Sequence, residues 1–389
     1  PPFLVKGGKE LFKLIDCEVK EILTSPPQDY VDWGTKLIGA DTAWKKYRGR
    51  GIKVGIIDTG IDYTHPDLVV KECISFIDNT DGFDSGFHGT HVAGIIAGRD
   101  NGVGIIGVAP EAEIYSAKIF DSQGKTTTTA LFNAFRWMIE KKVHVINMSF
   151  GALYAPDVPG VADFLEEYHR RIKEMHAAGI ILVAAAGNSG NPKDNLDRIS
   201  YPARFPEVFA VGAISQELQR ADFSSTGPDL DFAMPGVDVY SCYPNNRWAR
   251  LSGTSMASPY LTGCISLLQE YALKTKDRLF TYDEIKKELI KYSVDLGVEG
   301  IDHEFGYGKI NIGQIGSAIM RRTTMEIDQP LIYNRETWRV LAPLRFVVEV
   351  NGGQILDWDS KSETVIFKTA IGQTVTMQVD NPVVTIESE

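Results

Sequence analysis

Three short stretches of the sequence carry side chains that can act as a nucleophile, a base and a group that orients the base. Ser255 stands between Gly-Thr and Met-Ala, His88 opens His-Gly-Thr-His, and Asp58 ends the apolar run Val-Gly-Ile-Ile. A serine hydroxyl becomes a strong nucleophile when a base takes its proton, and an imidazole, with an ordinary pKa near ~6.5, suits that task. A carboxylate that accepts the other imidazole N–H fixes the tautomer. These residue types predict covalent chemistry at a serine.

An oxyanion formed by such chemistry would need hydrogen-bond donors, and the sequence offers two. Ser255 precedes a long apolar run at 260–273, which predicts a buried helix with unpaired N–H groups in its first turn. Asn188 follows Ala-Ala-Ala-Gly, so its side-chain amide could be the second donor. Simpler explanations stay open at this point, because Ser255 could merely cap the helix and Gly-Asn could merely form a turn.

The elements that must position these residues alternate along the chain. Apolar runs rich in β-branched residues predict strands at 52–57, 114–119, 143–148, 180–185 and 208–211. Helical patterns lie between them at 131–138 and 161–178, and a capping box at Thr281 and Glu284 starts a later helix. Alternating strands and helices predict an α/β fold whose parallel sheet is covered by helices on both faces.

Polar side chains follow three of these predicted strands. Asp58, Ser149 and Asn188 each come directly after an apolar run. In open α/β sheets, ligands bind at the carboxyl ends of the strands. We therefore expect the three side chains to meet in one cleft.

The three blocks, in the order Asp, His, Ser, resemble those of the subtilisin-like serine proteases, and the block around Asn188 is similar to a fourth. The resemblance runs from about residue 33 to about residue 312. It implies four catalytic roles: nucleophile Ser255, general base and acid His88, orienting carboxylate Asp58 and oxyanion donor Asn188. The order is taken from the family, where it is well known, and the spacing alone would not give it.

The same resemblance implies how a substrate would bind. An extended peptide backbone would pair with Ser149 and Gly151 on one edge and with the residues just past Gly124 on the other. Ala185 and Gly187 would line the first specificity pocket, where small residues leave room for a large apolar side chain. The chain is thus expected to be a serine endopeptidase that forms an acyl-enzyme and prefers apolar side chains before the cut. The alternative is a non-catalytic or narrowly dedicated protein of the same family that binds or processes peptides.

Two further positions bear on this expectation. His91 lies close to His88, but in the family the first histidine of the block is catalytic, so we expect His91 to pack inside a helix. Tyr260 stands where the family usually has histidine, outside the triad.

A structural calcium ion is the cofactor that the resemblance implies. Calcium takes about 6–8 oxygen ligands, often backbone carbonyls, and glycines at 102 and 104 let a loop turn its carbonyls inward. The expected ligands are Asp67, Asn101, Arg99, Val103, Ile105 and Gln28, with Asp29 as an alternative to Gln28. The simpler interpretation is that Asn101 and Gly102 only form a tight turn.

The sequence suggests three segments: 1–30, 31–322 and 323–389. The first is either a strap that packs on the main domain or a short propeptide that restrains the cleft. The last is expected to be a small α+β accessory domain, because Pro-Leu-Arg-Phe at 343–346 and Trp358-Asp359 resemble the stalk domains related to copper amine oxidases. It lacks His-x-His, so we assign no copper, and a docking partner for this domain is conceivable.

The resemblance implies protein or peptide substrates as partners, and composition argues against several other classes of partner. The formal net charge of −11 argues against nucleic acid, and no apolar run approaches the ~18 residues of a membrane span. The four cysteines are scattered, which disfavours a disulfide framework or a zinc site. Free thiols and the lack of a signal-peptide pattern favour a cytoplasmic location, whereas the stalk-like domain suggests an extracellular one.

Overall fold

The computed structural model describes residues 17–24, 28–84, 86–154, 158–191 and 196–316. It also describes the backbone of one strand before these residues, at 13–14, and of the strands after them, between residues 321 and 388. Internal contacts divide the chain into two compact units, 1–315 and 316–389. Each unit is described by itself.

The first unit contains fourteen described strands and seven described helices. The strands are β1 (Lys13–Leu14), β2 (Glu18–Leu23), β3 (Lys53–Asp58), β4 (Val70–Ser75), β5 (Glu113–Lys118), β6 (Val145–Met148), β7 (Phe150–Gly151), β8 (Ile181–Ala185), β9 (Val208–Ile214), β10 (Phe232–Pro235), β11 (Val239–Tyr243), β12 (Arg247–Ser252), β13 (Ser293–Val294) and β14 (Lys309–Ile310). The helices are α1 (Trp33–Leu37), α2 (Ala40–Ala43), α3 (His88–Ala97), α4 (Thr128–Lys141), α5 (Val161–Ala177), α6 (Thr254–Lys276) and α7 (Tyr282–Lys291).

A seven-stranded sheet forms the centre of this unit. Its strands run in the order β10-β9-β8-β6-β3-β5-β4, and every pair in it is parallel. The five strands predicted from apolar runs are all present, which confirms the α/β prediction. The two edge strands escaped it because β4 has a polar sequence, Val-Lys-Glu-Cys-Ile-Ser, and β10 has only 4 residues.

Helices cover both faces of the sheet, as predicted. Asn147 in β6 accepts a hydrogen bond from Thr262 of α6 on one face, at 3.0 Å. Its neighbour Ile146 packs on the opposite face in a cluster with Leu131 of α4 and Ile172 of α5. The predicted capping box is also present: the Thr281 side chain and the side chain of Glu284 each accept a hydrogen bond from the other residue's backbone N–H at the start of α7.

Strands of the N-terminal segment pair with two different parts of the unit. β1 pairs antiparallel with β7, with Lys13 opposite Gly151 and Leu14 opposite Phe150. β2 pairs antiparallel with β12 and forms a three-stranded sheet in the order β11-β12-β2. The N-terminal segment is therefore held to the unit at two places, through β1 at the edge of β7 and through β2 at the edge of β12.

The described part of the second unit consists of strands. They are β15 (Arg321–Glu326), β16 (Tyr333–Asn334), β17 (Arg339–Val340), β18 (Gln354–Asp359), β19 (Thr364–Lys368), β20 (Thr374–Gln378) and β21 (Val383–Ser388). Five of them form an antiparallel sheet in the order β15-β21-β20-β19-β18. Trp358-Asp359 lies in β18, whereas the Pro-Leu-Arg-Phe stretch at 343–346 and any helix of the expected α+β domain lie outside the described residues.

Within the described part of the chain, no helix combines the length and the apolar character that crossing a membrane requires. No disulfide bond joins the four cysteines, all of them described residues, and Cys242 and Cys264 are buried.

Candidate active site

Asp58 and His88 lie in contact at the carboxyl end of the central sheet. Asp58 is the last residue of β3 and His88 is the first of α3, and both are fully buried. Nδ1 of His88 lies 2.9 Å from each Asp58 carboxylate oxygen. The opposite ring nitrogen, Nε2, is buried and has no hydrogen-bond partner among the described residues. The carboxylate therefore orients the imidazole and leaves its Nε2 able to take up a proton.

Ser255 occupies the first turn of α6, as the sequence predicted. Thr254, Met256 and Ala257 are its buried neighbours in this turn, and Gly253 precedes the helix with an extended φ of 162°. The hydroxyl Oγ donates to the carbonyl oxygen of Ser149 at 3.1 Å. Hydrogen bonds between a nucleophile and its base are often loose without substrate and tighten in the reacting complex. The described arrangement thus gives Ser255 a defined position beside the end of β6.

Asn188 is oriented toward the same turn by its own oxygen. Oδ1 accepts hydrogen bonds from the Thr254 amide at 3.0 Å and from the Thr254 hydroxyl at 2.8 Å. A Cβ placed on Gly253 would lie 3.1 Å from Asn188 Nδ2 and 3.7 Å from the Ser255 amide nitrogen. The side-chain amide and the backbone N–H therefore border one small space beside Gly253. A negative oxygen in that space could accept hydrogen bonds from both donors.

The edge predicted to pair with a substrate backbone is already part of a strand pair. Ser149 is buried, and Gly151 in β7 pairs with Lys13 of β1. The Ser149 hydroxyl donates to the Ser255 carbonyl at 2.9 Å, so this edge is fixed to the first turn of α6. Gly124 lies in a turn, where its amide donates to Asp121 at 3.0 Å, and its role at the second edge stays a prediction.

The residues predicted to line the specificity pocket end β8 and follow it. Ala185 is fully buried. Gly187 has a φ of +115°, and a Cβ there would meet the hydroxyl oxygens of Ser200 and Ser225 at 2.5 and 2.9 Å. Its amide also donates to the Thr254 hydroxyl at 3.2 Å. A glycine is required here by both the backbone conformation and the close approach of these groups.

Sequence reasoning missed a buried carboxylate behind the Asp58–His88 pair. Asp84 accepts hydrogen bonds from the Thr59 hydroxyl at 2.8 Å and from the amide and hydroxyl of Thr90 at 3.0 and 2.5 Å. The Thr59 hydroxyl accepts the Gly89 amide in turn, at 2.9 Å. Burial raises the pKa of Asp84, and these donors oppose that rise. Asp84 therefore joins the segment after Asp58 to the first turn of α3.

A buried lysine supports the same segment. Lys118 at the end of β5 donates to the carbonyl oxygens of Thr59 and Phe83, both at 3.2 Å. Its side chain is fully buried. The sequence offered only a weak signal for either residue, a carboxylate four positions before His88 and a lysine at the end of an apolar strand.

The second histidine of the His88 block is structural, as expected. His91 is fully buried, and its Nε2 lies 3.1 Å from the Ala249 carbonyl oxygen. Burial lowers the pKa of His91 to about 3, so the ring is neutral near pH 7 and donates this hydrogen bond.

The predicted calcium ligands lie close together in part. Oδ2 of Asp67 accepts from the Ile105 amide at 2.9 Å and from the Trp248 indole at 2.8 Å, whereas its buried Oδ1 has no partner among the described residues. Likewise, no described residue donates a hydrogen bond to the backbone oxygen of Arg99, Val103 or Ile105. Calcium binds to carboxylate and backbone carbonyl oxygens, so Asp67 Oδ1 and these three backbone oxygens fit the ion.

The two N-terminal residues proposed as alternative ligands differ in their contacts with the calcium loop, and the choice between them stays a prediction. Gln28 is exposed, and Asp29 makes the contact with the loop. Its Oδ1 accepts the amides of Asn101 and Gly102 at 3.2 and 2.8 Å. The Asn101 side chain itself donates to the Pro66 carbonyl oxygen at 3.0 Å and accepts the Val103 amide at 3.1 Å. The loop is therefore tied to the N-terminal segment through Asp29.

Comparison with known proteins agrees with this geometry. A family model described as "Subtilase family" matches residues 49–308. The chain is 37% identical over 271 residues to an intracellular serine protease of Paenibacillus polymyxa, covering 68% of this chain and 80% of that protein. It is 39% identical over 284 residues to Subtilisin DY of Bacillus licheniformis, covering 72% and 95%.

A third relative, the minor extracellular protease Epr of Bacillus subtilis, is 36% identical over 297 residues, covering 76% of this chain and 43% of that protein. The names of these relatives refer to both sides of the cell membrane, so they do not decide the compartment. The matched region spans the blocks that carry Asp58, His88, Asn188 and Ser255. The chain therefore belongs to the subtilase family and is a serine endopeptidase.

Proposed function

We propose that this endopeptidase works through Ser255, His88, Asp58 and Asn188. The observation that carries the proposal is the contact of His88 Nδ1 with both Asp58 oxygens at 2.9 Å, which leaves Nε2 without a partner among the described residues. An imidazole held in this way has one nitrogen committed to the carboxylate and the other available for proton transfer.

In the first step, Ser255 Oγ attacks the scissile carbonyl carbon and His88 Nε2 takes the hydroxyl proton. The carbonyl oxygen becomes an oxyanion, which accepts hydrogen bonds from Asn188 Nδ2 and the Ser255 amide. His88 then gives the proton to the leaving amine, and the C–N bond breaks to leave an acyl-enzyme. Water attacks the acyl-enzyme by the same route, with His88 again as base and then acid, and the hydroxyl of Ser255 is restored.

Replacing Asn188 with Leu tests this mechanism because it removes one oxyanion donor. We expect a loss of roughly 10²–10³ in kcat with little change in KM, a magnitude that comes from another member of this family. An Asn188→Leu enzyme with undiminished kcat would contradict the role of Asn188.

A substrate would bind as an extended strand along Ser149 and Gly151. The pairing of β1 with β7 supports this, because it is the same strand addition that a substrate backbone would make. Ala185 and Gly187 leave room for a large apolar side chain before the cut. A peptide library digested by the enzyme should show cuts after large apolar residues, and cuts after acidic residues alone would contradict the assignment.

We infer that calcium binds at Asp67 and the 99–105 loop. Members of this family commonly bind structural calcium, and Asp67 Oδ1, which accepts no hydrogen bond from the described residues, fits the ion as an oxygen ligand. Asp67 Oδ1, Asn101 Oδ1 and the carbonyls of Arg99, Val103 and Ile105 would hold it. Bound calcium would add stability that rises with its concentration. Calcium should raise Tm in the Ser255→Ala chain, and an equal rise in the Asp67→Ala variant would remove the site from this account.

We also infer that the N-terminal segment restrains the enzyme until it is cut near residues 24–28. Strand β1 occupies the edge at Gly151, and Cys17 lies beside Gly253. A chain that begins near Tyr30 should cleave peptides at once, whereas the full chain should show a lag that ends when the segment is cut. Equal rates from the first minute, without cleavage of the longer form, would contradict this role.

The C-terminal unit is proposed to be an accessory module that could dock a partner. The candidate catalytic residues all precede residue 316, where the second unit begins. A chain truncated after residue 322 should therefore retain turnover of a small chromogenic peptide. Loss of that turnover in a folded truncated protein would show that the tail contributes to the cleft.

A further inference from the structure

The outer edge of β12 is a feature that the proposed mechanism does not use. β12 ends at Ser252, three positions before Ser255, and pairs on its inner side with β11. Its outer edge pairs with β2, in a register that runs from Trp248 opposite Leu23 to Ser252 opposite Glu18. The edge is therefore continuous with the turn that carries the nucleophile.

Backbone pairing accounts for most of the contact between β2 and this edge. The side chains from Glu18 to Ile22 are exposed, including 37% of Val19 and 42% of Ile22. Two ion pairs add to the backbone contact, Lys20 with Asp238 at 2.9 Å and Arg250 with Glu21 at 3.7 Å. Such partly exposed pairs contribute little stability. A strand held in this way can be replaced by another extended segment of different sequence.

The position of β2 indicates which part of a bound peptide would lie along the edge of β12. A Cβ on Gly253 would lie 3.4 Å from Cys17 Cβ and 3.1 Å from Asn188 Nδ2, so the residue before β2 lies beside the proposed oxyanion site. Earlier in the sequence, Leu14 pairs with Phe150 of β7. A peptide that follows this path contacts β7 before it reaches Ser255 and β12 after it.

We propose that the outer edge of β12 binds the part of a protein substrate that lies after the cut, as an added antiparallel strand. Arg250 favours an acidic residue there, at the position that Glu21 occupies in β2. The guanidinium is held for this contact, since its Nη1 donates to the Asp238 carbonyl oxygen at 3.1 Å and it lies 5.2 Å from the centre of the Tyr240 ring. The proposal rests on the peptidase function proposed above and extends its substrate site beyond the residues next to the cut.

Paired quenched fluorescent peptides test the proposal on the full chain, after its rate on the short peptide has become constant. Both peptides share one sequence through the second residue after the cut, where the short one ends. The long one continues with six residues that copy Glu18–Leu23, and a charge-swapped long peptide has lysine in place of the Glu21 equivalent. We expect kcat/KM to be about tenfold higher for the long peptide than for the short one, mainly through KM.

Charge reversal at Arg250 provides the specific readout. The wild-type chain should prefer the acidic long peptide over the charge-swapped one by about threefold, and Arg250→Glu should invert this preference. Arg278→Glu is the matched control, because Arg278 is exposed and pairs with Glu284 at α7, so the preference should stay as in the wild type.

Two outcomes would overturn the proposal: equal kcat/KM for long and short peptides, or the same charge preference in wild type and Arg250→Glu. Failure to hydrolyse any peptide would instead contradict the peptidase function. In that case, the Ser255→Ala chain is first cut near residues 24–28 by an added protease, because β2 covers the edge of β12 in the uncut chain. Binding of the labelled long peptides to this cut chain, measured by fluorescence anisotropy, then decides the inference on the same charge preference. No preference in binding would overturn it.

Discussion

Removing the hydroxyl of Tyr260 is a demanding test of the packing around the nucleophile's helix. Tyr260 is buried in α6, and its hydroxyl donates to Asp32 Oδ2 at 2.8 Å. Asp32 also accepts the amides of Gly34 and Tyr240, at 3.0 and 3.2 Å. A Cβ on Gly34 would meet Tyr260 Cζ at 2.5 Å, so the tyrosine fills a site that depends on this glycine.

The size of the effect follows from the charge of the acceptor. A buried hydrogen bond to a charged group contributes about 1.5–3 kcal/mol, so Tyr260→Phe should lower the free energy of unfolding by about 2 kcal/mol. With an unfolding entropy of roughly 2.1 cal/mol/K per residue over about 300 residues, this loss lowers Tm by about 3 °C.

The loss should also depend on pH. Burial raises the pKa of Asp32, and the Tyr260 hydrogen bond works against that rise, so the variant's Asp32 has a still higher pKa. A carboxyl whose pKa is higher in the folded than in the unfolded chain costs stability as pH rises from its ordinary range through the folded value. This cost is larger in Tyr260→Phe. The difference between the two proteins should therefore be greater at pH 7 than at pH 4.

Urea denaturation at both pH values, with all proteins in the Ser255→Ala background to prevent self-digestion, measures this difference. Tyr240→Phe is the matched control, because the Tyr240 hydroxyl is buried and has no hydrogen-bond partner among the described residues. It should cost less than Tyr260→Phe. Equal losses for the two tyrosines, or a greater loss for Tyr260→Phe at pH 4 than at pH 7, would refute the reasoning.

Two further predictions concern the cleft. Gly187→Ala should lower kcat/KM by at least about tenfold for peptides with a large apolar residue before the cut. The reason is that the backbone φ of Gly187 is +115° and the new Cβ would lie 2.5 Å from Ser200 Oγ. Unchanged kinetics would contradict the assignment of Gly187 to the specificity pocket. Asp84→Asn should lower kcat by about tenfold or more while the circular dichroism spectrum stays native. The reason is that the asparagine amide would present N–H groups to the hydrogen-bond donors of Thr59 and Thr90. An unchanged kcat would show that the Asp84 carboxylate does not position the Asp58–His88 pair.

Much of the fold was predictable because its signals are local. The strands that end near Asp58, Ser149 and Asn188 are buried on both faces, so they appear in the sequence as continuous apolar runs. The helix that carries Ser255 is buried along almost its whole length and appears as a long apolar run for the same reason. Tertiary contacts agree with these local preferences: Ser149 and Asn188 both contact the first turn of α6, and Asp58 contacts His88.

The pairing of β2 with β12 could not be predicted in this way. The side chains of β2 are exposed through Ile22, so the strand shows no alternation of apolar and polar residues. Its partner is more than 200 residues away in the sequence, and backbone hydrogen bonds leave no record in residue type. The buried polar side chains of Asp84 and Lys118 are similar cases, because only the folded chain shows which atoms form hydrogen bonds with them.

The most direct test of the central claim is to identify the nucleophile. The full chain, incubated until its peptidase rate is constant, is treated with a fluorophosphonate, and the modified residue is identified by mass spectrometry. We predict one adduct per chain, on the peptide that contains Ser255, with no adduct in Ser255→Ala and much slower labelling in His88→Ala. Equal labelling of the wild type and Ser255→Ala, or peptide cleavage that persists in purified Ser255→Ala, would contradict the claim.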